Sequence, residues 1–328
     1  MLSTEALLRK AVLDTTAFDG SQEAPLSLEQ VKQFIELMAE EQVMLQEAKT
    51  VTSSSAKWQE SIVDFASRIA KPGTQATRLD SADRVAPSTG LVEISTVLIR
   101  GEVPVSDEVF EDNVAQQGFA ASLERTIAAR FGFDIEDMLV NGDTNLNDGT
   151  ILDLQDGWLE QARDGKAPGA GGTANSTDMS SYAQDYQEIF KQLLIDLPKR
   201  YLRAIRGGQG RFYVPVTLDQ KYRDLLASRG TALGDFLLTE SGDLKYQGIK
   251  ITPAPSFDNG IVAGTPDTCE ILLTNPSNLY AGYHRAMRFE TWRDPREGAT
   301  SFVITARVDA EVAIVNATTH GYNVNVEP

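Results

Sequence analysis

A loop rich in carboxylates and amides offers the first chemistry that this sequence could perform. In NGDTNLNDG, residues 141–149, Asp143, Asn145 and Asn147 alternate as the first, third and fifth ligands of an EF-hand calcium loop do. Counted from Asp143, however, position six is not glycine and position twelve is not the bidentate glutamate. Asn and Asp also dominate ordinary turns. We therefore predict a helix-ending turn here and keep a calcium-binding module at residues 143–156 as a minor alternative.

The two histidines and the single cysteine do not form a recognisable catalytic or metal-binding pattern. His284 and His320 are far apart in the sequence, with no paired cysteine or helical partner, so nothing supports a metal site or a Ser-His-Asp triad. Cys269 lies beside an apolar run and is predicted to be a small buried side chain. A lone cysteine excludes an intrachain disulfide and suits a reducing cytosol.

Two further patterns have simpler structural interpretations than catalytic ones. RGGQGR, residues 206–211, contains the Gly-Gly-Gln tripeptide of peptide-chain release factors, but we predict a turn that joins a helix to a strand. In the pairs Glu111-Asp112 and Glu136-Asp137 the two carboxylates are adjacent, and adjacent residues of a helix do not share a face. We predict that they are solvated. The sequence offers no convincing active site, so we expect neither catalysis nor a cofactor.

The composition is that of an acidic protein with room for two cores. The chain has 328 residues and a net charge of −17, which argues against a dedicated nucleic-acid binder because phosphate contacts need a clustered basic face. The first residues do not resemble a secretory signal. No apolar run approaches the roughly 18 residues that span a bilayer. We expect a soluble protein that is made in the cytoplasm and binds no membrane.

The first third of the chain predicts a helix followed by a long charged hairpin. Residues 27–48 have a helical pattern with an acidic face, and residues 50–58 are predicted to be a polar linker. Two β-type stretches between Trp58 and Val105 then enclose a polar middle. The second stretch alternates, with four residues on one side: Val92, Ile94, Thr96 and Leu98. This long hairpin has too few apolar residues to form a core of its own, which indicates that another chain covers it.

A long amphipathic helix comes next. One apolar stripe follows about six turns, and its residues are Leu123, Ile127, Phe131, Ile135 and Met138 or Leu139. Asn141-Gly142 supplies residues that tolerate the left-handed conformation in which helices commonly end, and the chain is predicted to re-enter a strand at Thr150–Leu152. Mixed helices and strands follow a flexible loop at residues 164–178. The C-terminal stretch is strand-like, with DPREG as its turn.

The order of these parts resembles the major capsid proteins of tailed bacteriophages, those with the HK97-type fold. The resemblance rests on RGEVPVSDEVFEDN (100–113), SLERTIAARFGFDIEDMLVNGDTN (122–145), LPKRYLRAIRGGQGRFYVP (197–215) and RFETWRDPREGATSFVITARVDAEVAIVNA (288–317). It extends from about Trp58 to Ala317. No single motif is diagnostic, but the ordered set is fairly specific.

The resemblance implies an α+β, HK97-like capsid fold with named parts. These are a helical N-terminal arm at 1–58, an extended E-loop β-hairpin at 59–99, a peripheral domain at 100–159 and 283–315 with its spine helix at 115–141, and an α/β axial domain at 160–282 and 316–328. The E-loop would lie across a neighbouring subunit, and DPREG would lie near three-fold contacts. The candidate intersubunit contacts are Lys71, Arg78, Asp80, Arg84, Arg293, Asp294 and Arg296. Some relatives crosslink an E-loop lysine, but the Lys71-Pro72 context gives no reason to predict a crosslink.

The implied function is structural. The chain would self-assemble into hexamers and pentamers of an icosahedral shell that encloses phage double-stranded DNA, within the cytoplasm of a bacterial host. The short arm predicts a separate scaffolding protein, with a portal and a decoration protein as further partners, and DNA would be contacted only non-specifically. The alternative is an encapsulin-like shell that stores a protein.

Overall fold

The computed structural model describes most of the chain between Gln42 and Val326. The described residues are 42–64, 69–70, 78, 80, 84, 88–106, 108, 119–147, 149–164, 175–182, 185–228, 244–258, 268–284, 287–296 and 298–326. The predicted helix before Gln42 and the candidate contact Lys71 lie outside them. Within the described ranges, no helix is long and apolar enough to cross a membrane.

Helices and strands alternate along the described chain. The α-helices are α1 (Val43–Glu47), α2 (Phe119–Asn141), α3 (Trp158–Asp164), α4 (Tyr186–Asp196), α5 (Lys199–Ala204) and α6 (Val216–Ala227). The strands are β1 (Lys49–Ser53), β2 (Lys57–Asp64), β3 (Ser88–Ser95), β4 (Val97–Ser106), β5 (Asn175–Asp178), β6 (Arg211–Val214), β7 (Lys245–Tyr246), β8 (Ile249–Pro253), β9 (Thr268–Thr274), β10 (Leu279–His284), β11 (Arg288–Asp294), β12 (Ala299–Val312) and β13 (Thr319–Asn325). Single 3₁₀ turns lie at Ile151–Leu154, Ser180–Tyr182, Pro255–Phe257, Pro276–Asn278 and Val315–Ala317, and a π-helical turn lies at Ile205–Gln209.

The first sheet is built around the long strand β12. Its order is β1-β10-β12-β11, and β4 also pairs with β12. β4, β10 and β11 are antiparallel to β12, whereas β1 is parallel to β10. The predicted polar linker at 50–58 is therefore wrong, because this stretch contains β1 and the first residues of β2. The same finding corrects a wholly helical arm at 1–58.

The second sheet has six strands in the order β5-β13-β9-β6-β8-β7. α4 and α6 cover it, and their buried side chains form one core with the sheet. Phe190 of α4 contacts Phe212 of β6 edge to face, with ring centroids 5.0 Å apart. The chain leaves this sheet after β9 and enters the first sheet at Leu279, four residues before the predicted boundary at 283. The division into two domains stays a prediction.

The spine helix α2 forms the centre of the first core. Ile127, Phe131, Ile135, Met138 and Leu139 are buried, as the apolar stripe predicted, and they pack with residues of the first sheet. The described helix begins at Phe119, so the predicted start at 115 lies outside the described residues. Its end at Asn141 matches the prediction.

The glycine that follows α2 has a different role from the predicted one. Gly142 does not adopt a left-handed conformation; instead, a Cβ there would lie 2.4 Å from the carbonyl oxygen of Gln155. Gly157 returns to the same point and donates its N–H to the Gly142 carbonyl at 2.7 Å. Two backbones therefore touch at these glycines. The predicted strand at Thr150–Leu152 is also wrong, since Ile151–Leu154 is a 3₁₀ turn that the Thr150 side chain caps.

Candidate assembly surfaces

The hairpin of β2 and β3 has its base on the first sheet. Val92 and Ile94 of the hairpin are buried against Tyr280 of β10. A Cβ on Gly282 of β10 would lie only 2.4 Å from the Ile94 Cγ2 atom. The glycine therefore lets the hairpin approach the sheet closely. The predicted alternation ends at Thr96, which separates β3 from β4, and Leu98 beyond it is 54 % exposed.

Polar contacts fix the same base in place. The Lys49 ammonium of β1 donates to Glu60 Oε1 of β2 and to the Tyr280 hydroxyl, each at 2.7 Å. On the second hairpin strand, the Ser95 N–H donates to the Asp309 carboxylate of β12. Both strands of the hairpin are thus attached to the first sheet at their base. We call residues 57–95 the hairpin arm and this attached base its root.

A histidine fixes the turn that leads into the hairpin. His284 is buried, and its Nε2 lies 3.1 Å from the Ser54 carbonyl while its Nδ1 lies 3.4 Å from the Arg307 guanidinium. A carbonyl only accepts and a guanidinium only donates. The ring therefore donates to Ser54 through Nε2–H and accepts from Arg307 at Nδ1.

Two carboxyl groups of β12 are buried beneath the hairpin. Burial raises the pKa of Asp309 to about 7, against the hydrogen bonds that it accepts from Ser95 and Ala310. Burial, followed by the charges of Asp309, Glu93 and Asp156, raises the pKa of Glu311 to about 8. The root of the arm therefore contains acids that titrate near neutral pH.

The predicted contact residues of the arm are accessible where the structure describes them. Arg78, Asp80 and Arg84 are exposed. Ile69, on the same excursion, is 59 % exposed, which is high for an isoleucine. Contacts of these residues with another subunit stay a prediction.

One face of the first sheet is open beside the hairpin root. Phe289, Phe302 and Ile304 point to the core, whereas the residues between them along β11 and β12 point away from it. On the open side Trp292 lies opposite Ser301 and is 62 % exposed. Leu98 of β4 contributes a second exposed apolar side chain. Exposed apolar residues rimmed by charges are typical of protein contact surfaces.

The DPREG turn closes the far end of this sheet, as predicted. The Arg296 N–H donates to Asp294 Oδ1 at 2.8 Å, and Gly298 has a φ of 58°. Arg293 and Arg296 are exposed, and Asp294 is half-exposed. The turn therefore presents two cations beside Trp292, and their contacts with other subunits stay a prediction.

The loop after the spine helix uses its carboxylates to hold its own backbone. Asp143 accepts from the Asn145 N–H at 2.8 Å, and Asp156 accepts from the Thr144 N–H at 3.0 Å. Asp153 accepts from the Gly149 N–H at 3.1 Å. In the described part of the chain, no group of three His, Cys, Asp or Glu residues is placed to hold a metal ion. These bonds are those of a turn.

The second histidine lies in a ladder across three strands of the second sheet. His320 of β13 is fully buried, and its ring nitrogens lie 3.0 Å from the Ser176 hydroxyl and 2.8 Å from a Glu270 oxygen. The bonds to His320 and the charge of Arg163 lower the pKa of Glu270 against the effect of burial. Ser176 and His320 are partners in the strand register, so the chain of bonds follows from the sheet. Cys269 beside Glu270 is buried, as predicted, and burial raises the pKa of its thiol.

The prediction that the Glu136-Asp137 pair is solvated is wrong for Glu136. Its carboxylate is buried and accepts from the N–H groups of Met44 and Leu45 at 3.1 and 3.2 Å. Ser256 donates to it as well. Burial raises the pKa of Glu136, and these bonds oppose the rise. It therefore caps α1 from the spine helix.

A sequence signal for this contact did exist. Gly132 lies one turn before Glu136 on α2, where a small residue permits a close neighbour. The Gln42 side chain donates to the Ala129 carbonyl on the same part of the helix. α1 then reaches the second sheet, since Glu47 pairs with Arg211 and accepts from the Tyr213 hydroxyl at 2.8 Å. The stretch before β1 thus connects the two cores.

The two sheets, the spine helix and the rooted hairpin define a protein of the shell-forming class, with the HK97-like capsid fold. The model of the Phage capsid family matches residues 26–321, so the chain belongs to that family. It is 27 % identical to the prophage capsid protein YqbE of Bacillus subtilis (strain 168) over 86 % of each chain.

Solved structures share this fold. A chain of the satellite phage P4 procapsid, which includes the size determination (Sid) protein, is similar with a TM-score of 0.65, 14 % identity and coverage of 99 % of this chain and 98 % of that one. The capsid protein of a native GTA particle is similar with a TM-score of 0.57 and 15 % identity, and the match covers 99 % of each chain. The SrpI encapsulin of Synechococcus elongatus PCC 7942 is similar with a TM-score of 0.55 and 11 % identity. The match covers 100 % of this chain and 98 % of the encapsulin chain. The protein is a major capsid protein that forms the shell of a phage virion.

Proposed function

We propose that this capsid protein closes its shell by laying the hairpin arm of each subunit across the open sheet face of a neighbour. The observation that carries the proposal is the position of the two features. The arm is rooted on the first sheet through Gly282 and Asp309, and the open face with Leu98 and Trp292 begins beside that root. A heterologous contact of this kind joins different patches, so it can continue from subunit to subunit around a closed shell.

The charges of the two surfaces support such a contact. The arm presents Arg78, Asp80 and Arg84, so both signs of charge lie close together. The open face likewise alternates in sign, since Arg100 and Glu102 follow one another on β4. Mixed charges on both partners favour one register of docking over others.

The wider assembly follows from the family resemblance. Hexamers and pentamers would form an icosahedral shell around phage double-stranded DNA, with residues 160–282 and 316–328 around the axis of each ring. Assembly would take place in the cytoplasm of a bacterial host, with a separate scaffolding protein, a portal and a decoration protein as partners. The role of the chain is structural rather than enzymatic, and its net charge of −17 would keep packaged DNA from adhering to the wall.

Shortening the arm tests the proposal. Replacing residues 66–86 with an Asn-Gly turn keeps both rooted strands and removes the part that would reach a neighbour. We expect a subunit that unfolds at the wild-type temperature but forms no closed shells in electron micrographs. The matched control, Gln75→Ala, keeps the length of the arm and its candidate contact residues and is expected to form shells. Efficient closure of normal shells by the shortened variant would refute the proposal.

The contents of the particles distinguish a virion from the alternative function, an encapsulin-like storage shell with the same fold. Particles from cells that produce the phage are expected to contain nuclease-protected double-stranded DNA. Particles that contain an enzyme and no DNA would favour the storage shell.

A further inference from the structure

A basic stretch stands out in this acidic protein. Residues 197–218 contain five Lys or Arg residues and no Asp or Glu, whereas the whole chain has a net charge of −17. Four of the five cations are exposed on α5 and on the π-helical turn that follows it, and they are Lys199, Arg200, Arg203 and Arg206. The composition therefore places a local positive surface on the second, six-stranded half of the molecule.

Three of these cations have no ion-pair partner in the part of the chain that the structure describes. Among the described residues, no carboxylate lies within ion-pair distance of Lys199, Arg203 or Arg206. Arg206 donates instead to the Gln247 side-chain oxygen at 2.8 Å. By contrast, Arg211 at the end of the stretch pairs with Glu47 at 3.3 Å. Lys199, Arg203 and Arg206 are therefore available to a partner as far as the described residues go.

Two of these cations lie at an open groove of about 340 Å³ between α4 and α5. Leu194 and Leu197 form buried parts of its wall. Ile195, on the same wall, is 61 % exposed. The two cations that line the groove are Lys199 and Arg206. The groove thus combines an apolar wall with positive charge.

The backbone beside the groove is also accessible. A Cβ on Gly207 or Gly208 would have no neighbour within 4 Å, and Gly208 has a φ of 92°. A partner could therefore approach the main chain here as closely as the side chains.

The apolar wall favours a protein partner over a nucleic acid. Phosphate contacts require cations and hydrogen-bond donors, but they do not use an exposed isoleucine. Protein contacts combine an apolar centre with charged groups at the rim. The partner that fits is therefore a carboxylate-bearing protein surface with an apolar side chain.

We propose that this groove binds a carboxylate-bearing surface of a second copy of the chain, the adjacent subunit in the ring. The chain itself can supply the complementary negative charge. Outside residues 197–218 it carries a large excess of Asp and Glu, which gives the net charge of −17 for the whole chain. The contact joins two different patches, as rotation about a ring axis requires. The inference rests on the proposed shell assembly, but it does not involve the hairpin arm.

Zero-length crosslinking tests the contact directly. A carbodiimide joins a lysine amine to a carboxylate only where the two touch, so assembled wild-type particles are treated and digested for mass spectrometry. Mixed ¹⁴N and ¹⁵N subunits identify links between copies. We expect Lys199 linked to an Asp or Glu of another copy. The proposal is overturned if Lys199 forms no link between copies in intact particles.

Charge reversal gives a second readout. Lys199→Glu with Arg206→Glu reverses the two cations that line the groove. It should lower the yield of particles about tenfold or more at low salt, with partial recovery at high salt, because screening weakens like-charge repulsion. Arg125→Glu changes an exposed cation on the spine helix and is the control. Unchanged thermal unfolding of the isolated subunit shows that the variant folds. Normal particles that lose only their DNA would overturn the proposal in favour of nucleic-acid binding.

A variant and a matched control also test the apolar wall of the groove. Ile195→Ser should reduce the yield of particles severalfold, whereas Leu146→Ser, at a loop position that is 47 % exposed, should not. Equal effects of the two variants would contradict the groove contact. These measurements do not involve the hairpin arm. Normal shells from the shortened-arm variant would therefore refute the arm contact alone, and a missing Lys199 crosslink would refute the groove contact alone.

Discussion

At the scale of single residues, buried carboxylates account for most of the unexpected contacts. Glu136 accepts two backbone N–H groups of α1, and Asp309 accepts the Ser95 N–H at the root of the arm. Neither residue is unusual in the sequence, because a carboxylate on a helix or an alternating strand is normally solvated. Only the partner segment, far away in the chain, makes each one a buried acceptor.

Glu136→Ala should lower the free energy of unfolding by about 2–3 kcal/mol, because it removes a charged acceptor and leaves buried donors without a partner. Hydrogen exchange provides a local readout: the amides of Met44 and Leu45 should lose protection. Asp137→Ala is the matched control, since this neighbour is half-buried and bonds only Asn141 on its own helix among the described donors. Protection that is equal in both variants would contradict the capping role.

Asp309 gives the root of the arm a pH dependence of definite sign. Its folded-state pKa, about 7, lies above the ordinary value of 3.8, so between these values the folded state binds more protons than the unfolded state. Stability from this group therefore falls as pH rises from about 4 to 7. Asp309→Asn keeps an acceptor for Ser95 and removes the charge. We expect it to raise the free energy of unfolding on the order of 2 kcal/mol at pH 8 and to have little effect at pH 4.

Thermal unfolding of the isolated subunit across this pH range checks the sign. Glu311→Gln should act in the same direction, with its window extended to about pH 8. The account would be contradicted if Asp309→Asn were less stable than wild type at pH 8. It would also be contradicted if the variant changed the free energy of unfolding by the same amount at every pH, because ionisation of Asp309 would then cost nothing.

At the scale of elements, those with a strong local pattern were predictable and those that depend on distant partners were not. The stripe of α2 and the turn at DPREG follow from periodicity and turn chemistry. β1 was missed because Lys49–Ser53 is polar and becomes a strand only by pairing with β10, more than two hundred residues later. The root of the hairpin was missed for the same reason, since it depends on Gly282.

Gly282→Ala tests how the hairpin is seated. The added methyl group would meet the branched Ile94 side chain at 2.4 Å, so we expect a loss of about 1–3 kcal/mol and faster proteolysis of the arm. Gly101→Ala on β4 is the control, because its Cβ would make ordinary contacts at 3.4 Å with the Phe131 ring. Limited trypsin digestion compares the two variants. Equal resistance of the arm would contradict a seat that depends on close approach.

At the scale of the whole molecule, the order of parts along the chain predicted the capsid fold although no single motif did. The open face of the first sheet and the basic groove were not predictable, because each is formed by residues from separate segments. Trp292, for example, is an ordinary strand residue in the sequence and becomes informative only as a side chain that is 62 % exposed.

Tryptophan fluorescence reports whether the open face is covered on assembly. Trp158 is already buried and Trp58 is partly buried, whereas Trp292 is exposed. Assembly should therefore shift the emission to shorter wavelength, and Trp292→Phe should remove most of the shift. A shift of full size in this variant would mean that another site is covered instead.

The most direct test of the account is a cryo-electron microscopy reconstruction of the particles that the purified protein forms. We expect closed icosahedral shells in which residues 65–87 of the arm of each subunit lie on the β4, β12 and β11 face of a neighbour and cover Trp292. A protein that stays a monomer under every assembly condition, or closed shells in which each arm contacts only its own subunit, would contradict it.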